Sequence, residues 1–118
     1  MRARITALCA GLIFPVLACA HAHLQQAEPA DGSVLAAAPS RFVLRFSEAA
    51  VLTSLSLQRR GAAQPQKITA LPTTASAEIT VPAPALEPGD YELSYRLVSA
   101  DSHIMAGSIH FTIGQPGS

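Results

Sequence analysis

The 118-residue chain has no tryptophan, and aromatic side chains make up 5% of it. An extended aromatic platform for a flat substrate is therefore excluded. Cysteine is nearly absent: Cys9 and Cys19 are the two present, and both lie in an N-terminal stretch that reads as an export signal. The chain beyond that stretch has no disulfide and no thiolate ligand to offer. Methionine is equally scarce, with Met105 the one beyond the start residue. Eight Lys and Arg balance eight Asp and Glu with no basic run, which argues against nucleic acid as a partner. No apolar run reaches the ~20 residues needed to cross a bilayer.

The N-terminus has the layout of a signal peptide. Arg2 and Arg4 give a positive start, Ile5 to Leu17 is almost wholly apolar, and Ala18-Cys19-Ala20 supplies small residues at −3 and −1. The expected organisation is residues 1–20 as a cleaved signal and residues 21–118 as one domain, too short for two. The short apolar core looks bacterial, so the expected destination is the periplasm. Arg2 and Arg4 leave with the signal, which makes the remaining domain mildly acidic. Val16-Leu17-Ala18-Cys19 offers a competing reading as a lipobox; cleavage before Cys19 would give a lipid-anchored protein.

Beyond the signal, the chain reads as short strands punctuated by Pro and Gly, with no segment of helical period. Phe42, Leu44 and Phe46 alternate with Arg41, Val43 and Arg45. Val51, Thr53, Leu55 and Leu57 are expected to oppose Leu52, Ser54 and Ser56. "KITA" and "AEITV" follow. In "YELSYRLV" Tyr91, Leu93, Tyr95 and Leu97 share a face, and in "SIHFTI" Ile109, Phe111 and Ile113 point inward with His110 outward. With the opening "HLQQA" this makes seven strands. Turn signals such as "EPADGS" and "LEPGDY" separate them, and "SVLAAAPS" reads as a connection. The pattern predicts an all-β fold, a seven-stranded antiparallel Greek-key sandwich or barrel of immunoglobulin-like type.

Four histidines follow the signal: His21, His23, His103 and His110. His110, on the outer side of an alternating strand, reads as a solvated surface residue. Asp101 and His103 lie two apart in "SADSHIMAG"; on extended chain both side chains would share a face. That pair reads either as a chelating carboxylate and imidazole or as an Asp that only orients a His. Cleavage after Ala20 frees the α-amine of His21, whose reference pKa of about 7.7–8.0 lets a metal displace its proton at neutral pH. Amine and imidazole of one residue close a six-membered chelate ring. With Asp101 and His103 they make three nitrogens and one oxygen, a set that suits tetragonal Cu(II). His23 offers a competing mode: His21-Ala22-His23 can wrap Cu(II) in a square plane through the amine, two backbone amides and the third-position imidazole. His23 could otherwise be auxiliary to the folded site, or simply a surface residue at the start of the first strand.

Two blocks carry a family resemblance. "HAHLQQAEPADGSVLAAAPSRFVLRFSEAA" and "YELSYRLVSADSHIMAGSIHFTIG" resemble the copper resistance protein family CopC, whose closing pattern is V-S-x-D-x-H and then, two or three residues on, G-x-x-x-F. The similarity spans essentially the whole exported part. It implies a periplasmic cupredoxin-like or immunoglobulin-like β-sandwich that binds Cu(II), with the ligands falling on His21, Asp101 and His103. Some members add a methionine-rich loop for Cu(I). The middle stretch "SLSLQRRGAAQPQKITALP" has no methionine, so the expectation is one Cu(II) per chain and no separate Cu(I) site.

The leading functional expectation is a non-enzymatic, monomeric copper carrier or buffer that passes its ion to an inner-membrane importer. Two other classes compete with it. A copper-dependent oxidative enzyme also uses an N-terminal histidine chelate, but here Asp101 would fill the position that oxygen needs. The second is a non-metal interaction module with incidental histidines. Ser102 and Arg96 are expected to neighbour the ligands.

Overall fold

A computed structural model describes residues 22–114. The expectations that fall on the signal, on Cys19 and on His21 lie outside the described residues. Seven strands and no helix make up the described chain: β1 (Leu24–Glu28), β2 (Ser33–Leu35), β3 (Arg41–Arg59), β4 (Gln66–Lys67), β5 (Ser76–Pro82), β6 (Gly89–Ser99) and β7 (Ile104–Ile113).

The two strands expected at 41–46 and 51–57 are one continuous strand, β3, which serves as the spine of the fold. Nothing between Phe46 and Val51 breaks it, because "SEAA" contains neither Pro nor Gly. Residues Val43 to Arg45 pair with β1 and β5 together, so those two strands lie on opposite edges of β3. Ala50 pairs with Ser76 of β5 and with Ser99 of β6, so β6 takes the edge opposite β5. β1 and β6 therefore share one edge of β3, and β5 and β4 share the other. That β6 pairs beside β3, three elements earlier in the chain, is Greek-key connectivity.

The pairing runs β1-β3-β6-β7-β2, with β4 and β5 attached to β3. β1 and β2 stand at opposite ends of that order, yet only the turn Pro29-Ala30-Asp31-Gly32 joins them. So short a link spans the two ends only because the sheet curls round on itself. The turn is fastened to β7: Gly32 N–H donates to the His110 carbonyl (2.6 Å), and His110 N–H donates to Asp31 Oδ1 (2.8 Å). Gly32 adopts φ 82°, a conformation that glycine enters without steric cost.

This closure corrects the all-antiparallel expectation at one place. Because the turn reverses the chain, β2 must run opposite to β1, which is the direction of β7, and it pairs with β7 in parallel. The stretch "SVL", expected to be mere connection, is this short edge strand.

The face assignment expected for Val51 to Leu57 is also corrected. Leu52, Leu55 and Leu57 are all buried, although Leu52 and Leu55 differ by an odd number of residues. A bulge reconciles them: Leu52 pairs with Leu97 and Ser54 with Arg96, leaving Thr53 as the extra residue. The Thr53 hydroxyl donates to the Arg96 carbonyl at 3.1 Å, which occupies an acceptor at the break in the ladder. Val43 does face away from Phe42 and Leu44 as expected, but it is buried all the same. It sits in the middle strand between Glu28 and Thr80, next to Arg45, which reaches both Glu28 and Glu78 at 3.4 Å.

The interior is otherwise the one that alternation predicts. Phe42, Leu44 and Phe46 meet Ile79 and Val81 of β5, Tyr91, Leu93 and Leu97 of β6, and Ile109, Phe111 and Ile113 of β7. Each such side chain contributes about 1.5–3 kcal/mol when removed from water. Phe111 stacks on Tyr91 at 5.3 Å and meets Phe42 at 6.0 Å. The Tyr91 hydroxyl donates to the Glu87 carbonyl four residues upstream (2.6 Å), a tyrosine corner of the kind found in immunoglobulin-like sandwiches. Tyr95 packs edge-on against Phe46, with ring centroids 5.6 Å apart, and its ring lies over Gly107 of β7.

Candidate metal centre

The β6–β7 connection is a tight hairpin rather than the extended piece expected around Asp101. Ser102 N–H donates to the Ser99 carbonyl, and Ser99 N–H donates to the His103 carbonyl, both at 2.9 Å. Ser102 has φ 70°, so a turn followed by a residue in the left-handed region closes the loop. Small side chains at Ser99, Ala100 and Ser102 suit so compact a turn.

The turn brings Asp101 and His103 together by a different route from the shared strand face predicted. Asp101 Oδ2 and His103 Nδ1 lie 2.7 Å apart. The other carboxylate oxygen, Oδ1, accepts a hydrogen bond from the Ser99 hydroxyl at 2.5 Å. These contacts hold the Asp101 carboxyl down to about pKa 2: the Ser99 hydroxyl lowers it most, desolvation pushes the other way, and His103 lowers it further. Asp101 is thus a carboxylate at any ordinary pH, with both oxygens already directed.

His23 stands just before β1, opposite Ser47 of β3. Ser47 N–H donates to the His23 carbonyl and His23 N–H donates to Ser47 Oγ, both at 2.8 Å. Ala22, one residue earlier, is 2% exposed and belongs to the core cluster. Because β1 and β6 are both antiparallel to β3 and share one edge of it, they run in the same direction along that edge, and the end of β6 points toward the start of β1. His23 faces Ser47 and Ser99 faces Ala50, so the two ends lie three residue steps apart along β3, about 10 Å at ordinary strand rise. Half-buried Glu48 lies on that stretch.

Among the described residues, no three His, Cys, Asp or Glu side chains form a group able to hold a metal. Asp101 and His103 alone supply two donors. Of the two expected neighbours, Ser102 contributes its positive φ and its N–H to the turn. Arg96 is exposed, pairing with Ser54 and Ala106 across the sheet. Ser99 was missed by sequence reasoning, although it stands in the quoted V-S-x-D-x-H block. It is the one buried polar residue among those described, at 4% exposure. His110 is on the outer face as expected, 3.8 Å from Asp31 and 3.6 Å from Glu92. Met105 is half-buried against the core.

A curled β-sandwich with a carboxylate–imidazole pair in the hairpin near the start of its first strand defines a small β-domain with two candidate donors at one place. Comparison with known proteins gives the class a family. The CopC domain model matches residues 24–114. Copper resistance protein C of Pseudomonas syringae pv. tomato is 32% identical over 125 aligned residues, covering 92% of this chain and 93% of that one. Protein YobA of Escherichia coli (strain K12) is 33% identical over 99 residues, covering 80% of this chain and 79% of its own. Among solved structures, CopC from Methylosinus trichosporium OB3b aligns with a TM-score of 0.68 at 26% identity, covering 83% of this chain and 98% of that one. PcoC, a methionine-rich copper resistance protein from Escherichia coli, aligns with a TM-score of 0.61 at 30% identity, covering 79% and 98%. The chain belongs to the CopC family.

Proposed function

We propose that residues 1–20 are an export signal and that the processed protein, beginning at His21, is a periplasmic Cu(II) carrier or buffer binding one ion per chain. The observation that supports this reading most is the Asp101–His103 pair in the hairpin that follows β6, at the end of β3's edge where β1 begins. Donor–metal bonds of about 2.0 Å at right angles set adjacent donors about 2.8 Å apart. The 2.7 Å between Asp101 Oδ2 and His103 Nδ1, a hydrogen bond in the metal-free protein, already has the length of one edge of such a square, and an ion bound there would displace the proton that Nδ1 donates to Oδ2. The α-amine and imidazole of His21 would complete it. Cu(II) suits three nitrogens and one carboxylate oxygen, and deprotonated Asp101 is ready to accept it without losing a proton.

The buried Ala22 supports this folded site over the terminal wrap through His21-Ala22-His23. The wrap uses the backbone nitrogens of Ala22 and His23 as ligands. Here His23 N–H donates to Ser47 Oγ and Ala22 is packed in the core, so wrapping would strip the segment from β3. His23 is then an auxiliary group at the edge of the site.

The protein is read as a binding protein rather than an oxygenase, because Asp101 would take the fourth position. Release to an inner-membrane copper importer and a monomeric state complete the proposal; the names of the relatives support the copper assignment. Titration of Cu(II) into protein starting at His21 tests it. The expected result is one tight equivalent, weakened about tenfold or more by a single glycine left before His21. Unchanged affinity in the extended protein would remove the amine from the site. Equal binding after Asp101→Ala with His103→Ala would remove the hairpin, and sustained ascorbate-driven turnover on a glycan would favour the enzyme.

A further inference from the structure

We infer that Ser99 is a positioning residue for this centre: its hydroxyl occupies Oδ1 of Asp101, so the carboxylate presents Oδ2 alone beside His103 Nδ1. The inference deepens the copper reading above and rests on it.

Three observations carry it. Ser99 is buried to 4% exposure at the end of β6, so packing fixes the place from which its hydroxyl donates. At 2.5 Å its bond to Oδ1 lies at the short end of the range for a hydroxyl donating to a carboxylate. The hairpin does not depend on that hydroxyl, because two backbone hydrogen bonds, Ser102 N–H to the Ser99 carbonyl and Ser99 N–H to the His103 carbonyl, close it independently. A hydroxyl that the turn can spare, placed where the sheet cannot move it, is left with the carboxylate as its principal partner; its other contact, to the His103 carbonyl, is long at 3.4 Å.

The chemical consequence concerns how many oxygens Asp101 offers. A free carboxylate can bind an ion through both oxygens, as hard oxygen-preferring cations accept. With Oδ1 engaged by Ser99, the favoured arrangement is one oxygen and one nitrogen at adjacent corners, the geometry of a tetragonal ion. Without the hydroxyl, the Asp101 side chain, already 35% exposed, turns about its own torsions and the edge blurs.

The test uses Ser99→Ala and Ser99→Thr in protein beginning at His21, read first without metal. Proton couplings across the Asp101 Cα–Cβ bond report its rotamer, and amide exchange at Ser99 and Ser102 reports the hairpin. The expected result is a single rotamer in the parent and Ser99→Thr, averaging in Ser99→Ala, and unchanged exchange protection in all three. With Cu(II), Ser99→Ala is expected to bind about 10–100-fold more weakly, the range for loss of a ligand-orienting partner, with altered copper hyperfine splitting. A single rotamer in Ser99→Ala overturns the inference, as does averaging with parental copper affinity and spectrum. Loss of hairpin protection together with affinity overturns it too, since Ser99 would then be merely structural. If the parent takes up no stoichiometric Cu(II), the copper reading fails, while the rotamer measurement still judges what Ser99 does to Asp101.

Discussion

Gly107→Ala probes the packing that holds the first strand beside the hairpin. A Cβ built on Gly107 would run into the ring and hydroxyl of Tyr95, well inside contact distance. Tyr95 cannot simply swing away, because it faces the interior and packs edge-on against Phe46 at 5.6 Å. Either β7 shifts away from β6 or the ring is expelled. Overpacking of this kind costs about 1–3 kcal/mol, and losing the aromatic pair adds about 0.5–1.5 kcal/mol. The expected total is about 2–4 kcal/mol, a large share of the ~5–15 kcal/mol typical of a domain. Urea unfolding followed by tyrosine fluorescence measures it. In a Tyr95→Leu background the obstructing ring is gone, and the same substitution should cost less than about 1 kcal/mol. Equal cost in the two backgrounds would show that Tyr95 is not what the glycine accommodates, and the account of this contact would fail. Because Phe46 pairs with Leu24, one residue after His23, Gly107→Ala should also loosen amide protection at the start of β1.

Ser47→Ala removes the hydroxyl that accepts from His23 N–H; a loss of about 1 kcal/mol is expected, with faster exchange at the His23 amide and little change at Ser99. Asp101→Asn tests the electrostatics of the hairpin through pH. The folded carboxyl lies at about 2, below its ordinary value near 3.8, so its stabilising contribution is fully present above that ordinary value. That contribution disappears as pH falls through the folded value. The stability gap between parent and Asp101→Asn, both metal-free, should therefore close as pH falls from about 4 to about 2.

The strands were legible wherever one face is apolar and the other polar. Tyr91, Leu93 and Leu97, and Ile109, Phe111 and Ile113, lie inward as their alternation requires. The joining of 41–46 with 51–57 was not legible, because local pattern shows where apolar residues recur but not whether a polar stretch such as "SEA" remains paired. The Thr53 bulge escaped for a related reason. It is set by the pairing of β3 with β6, and a single inserted residue reverses the face of everything before it. Parallel β2 follows from closure of the sheet, a global property invisible in three residues. Asp101 and His103 could be singled out as candidates because imidazole and carboxylate are chemically conspicuous. Ser99 could not, since a serine says nothing until its burial and its short bond to Oδ1 are seen.

That β1 begins where β6 ends along a common neighbour bears on when the proposed binding site can exist at all. Residues far apart in sequence come near each other only after the long central strand has recruited both of their strands, so a partly folded chain would have no such site to fill. An ion bridging the two arms would act as a clasp on the completed topology, and its hold would rise and fall with the integrity of the whole sheet.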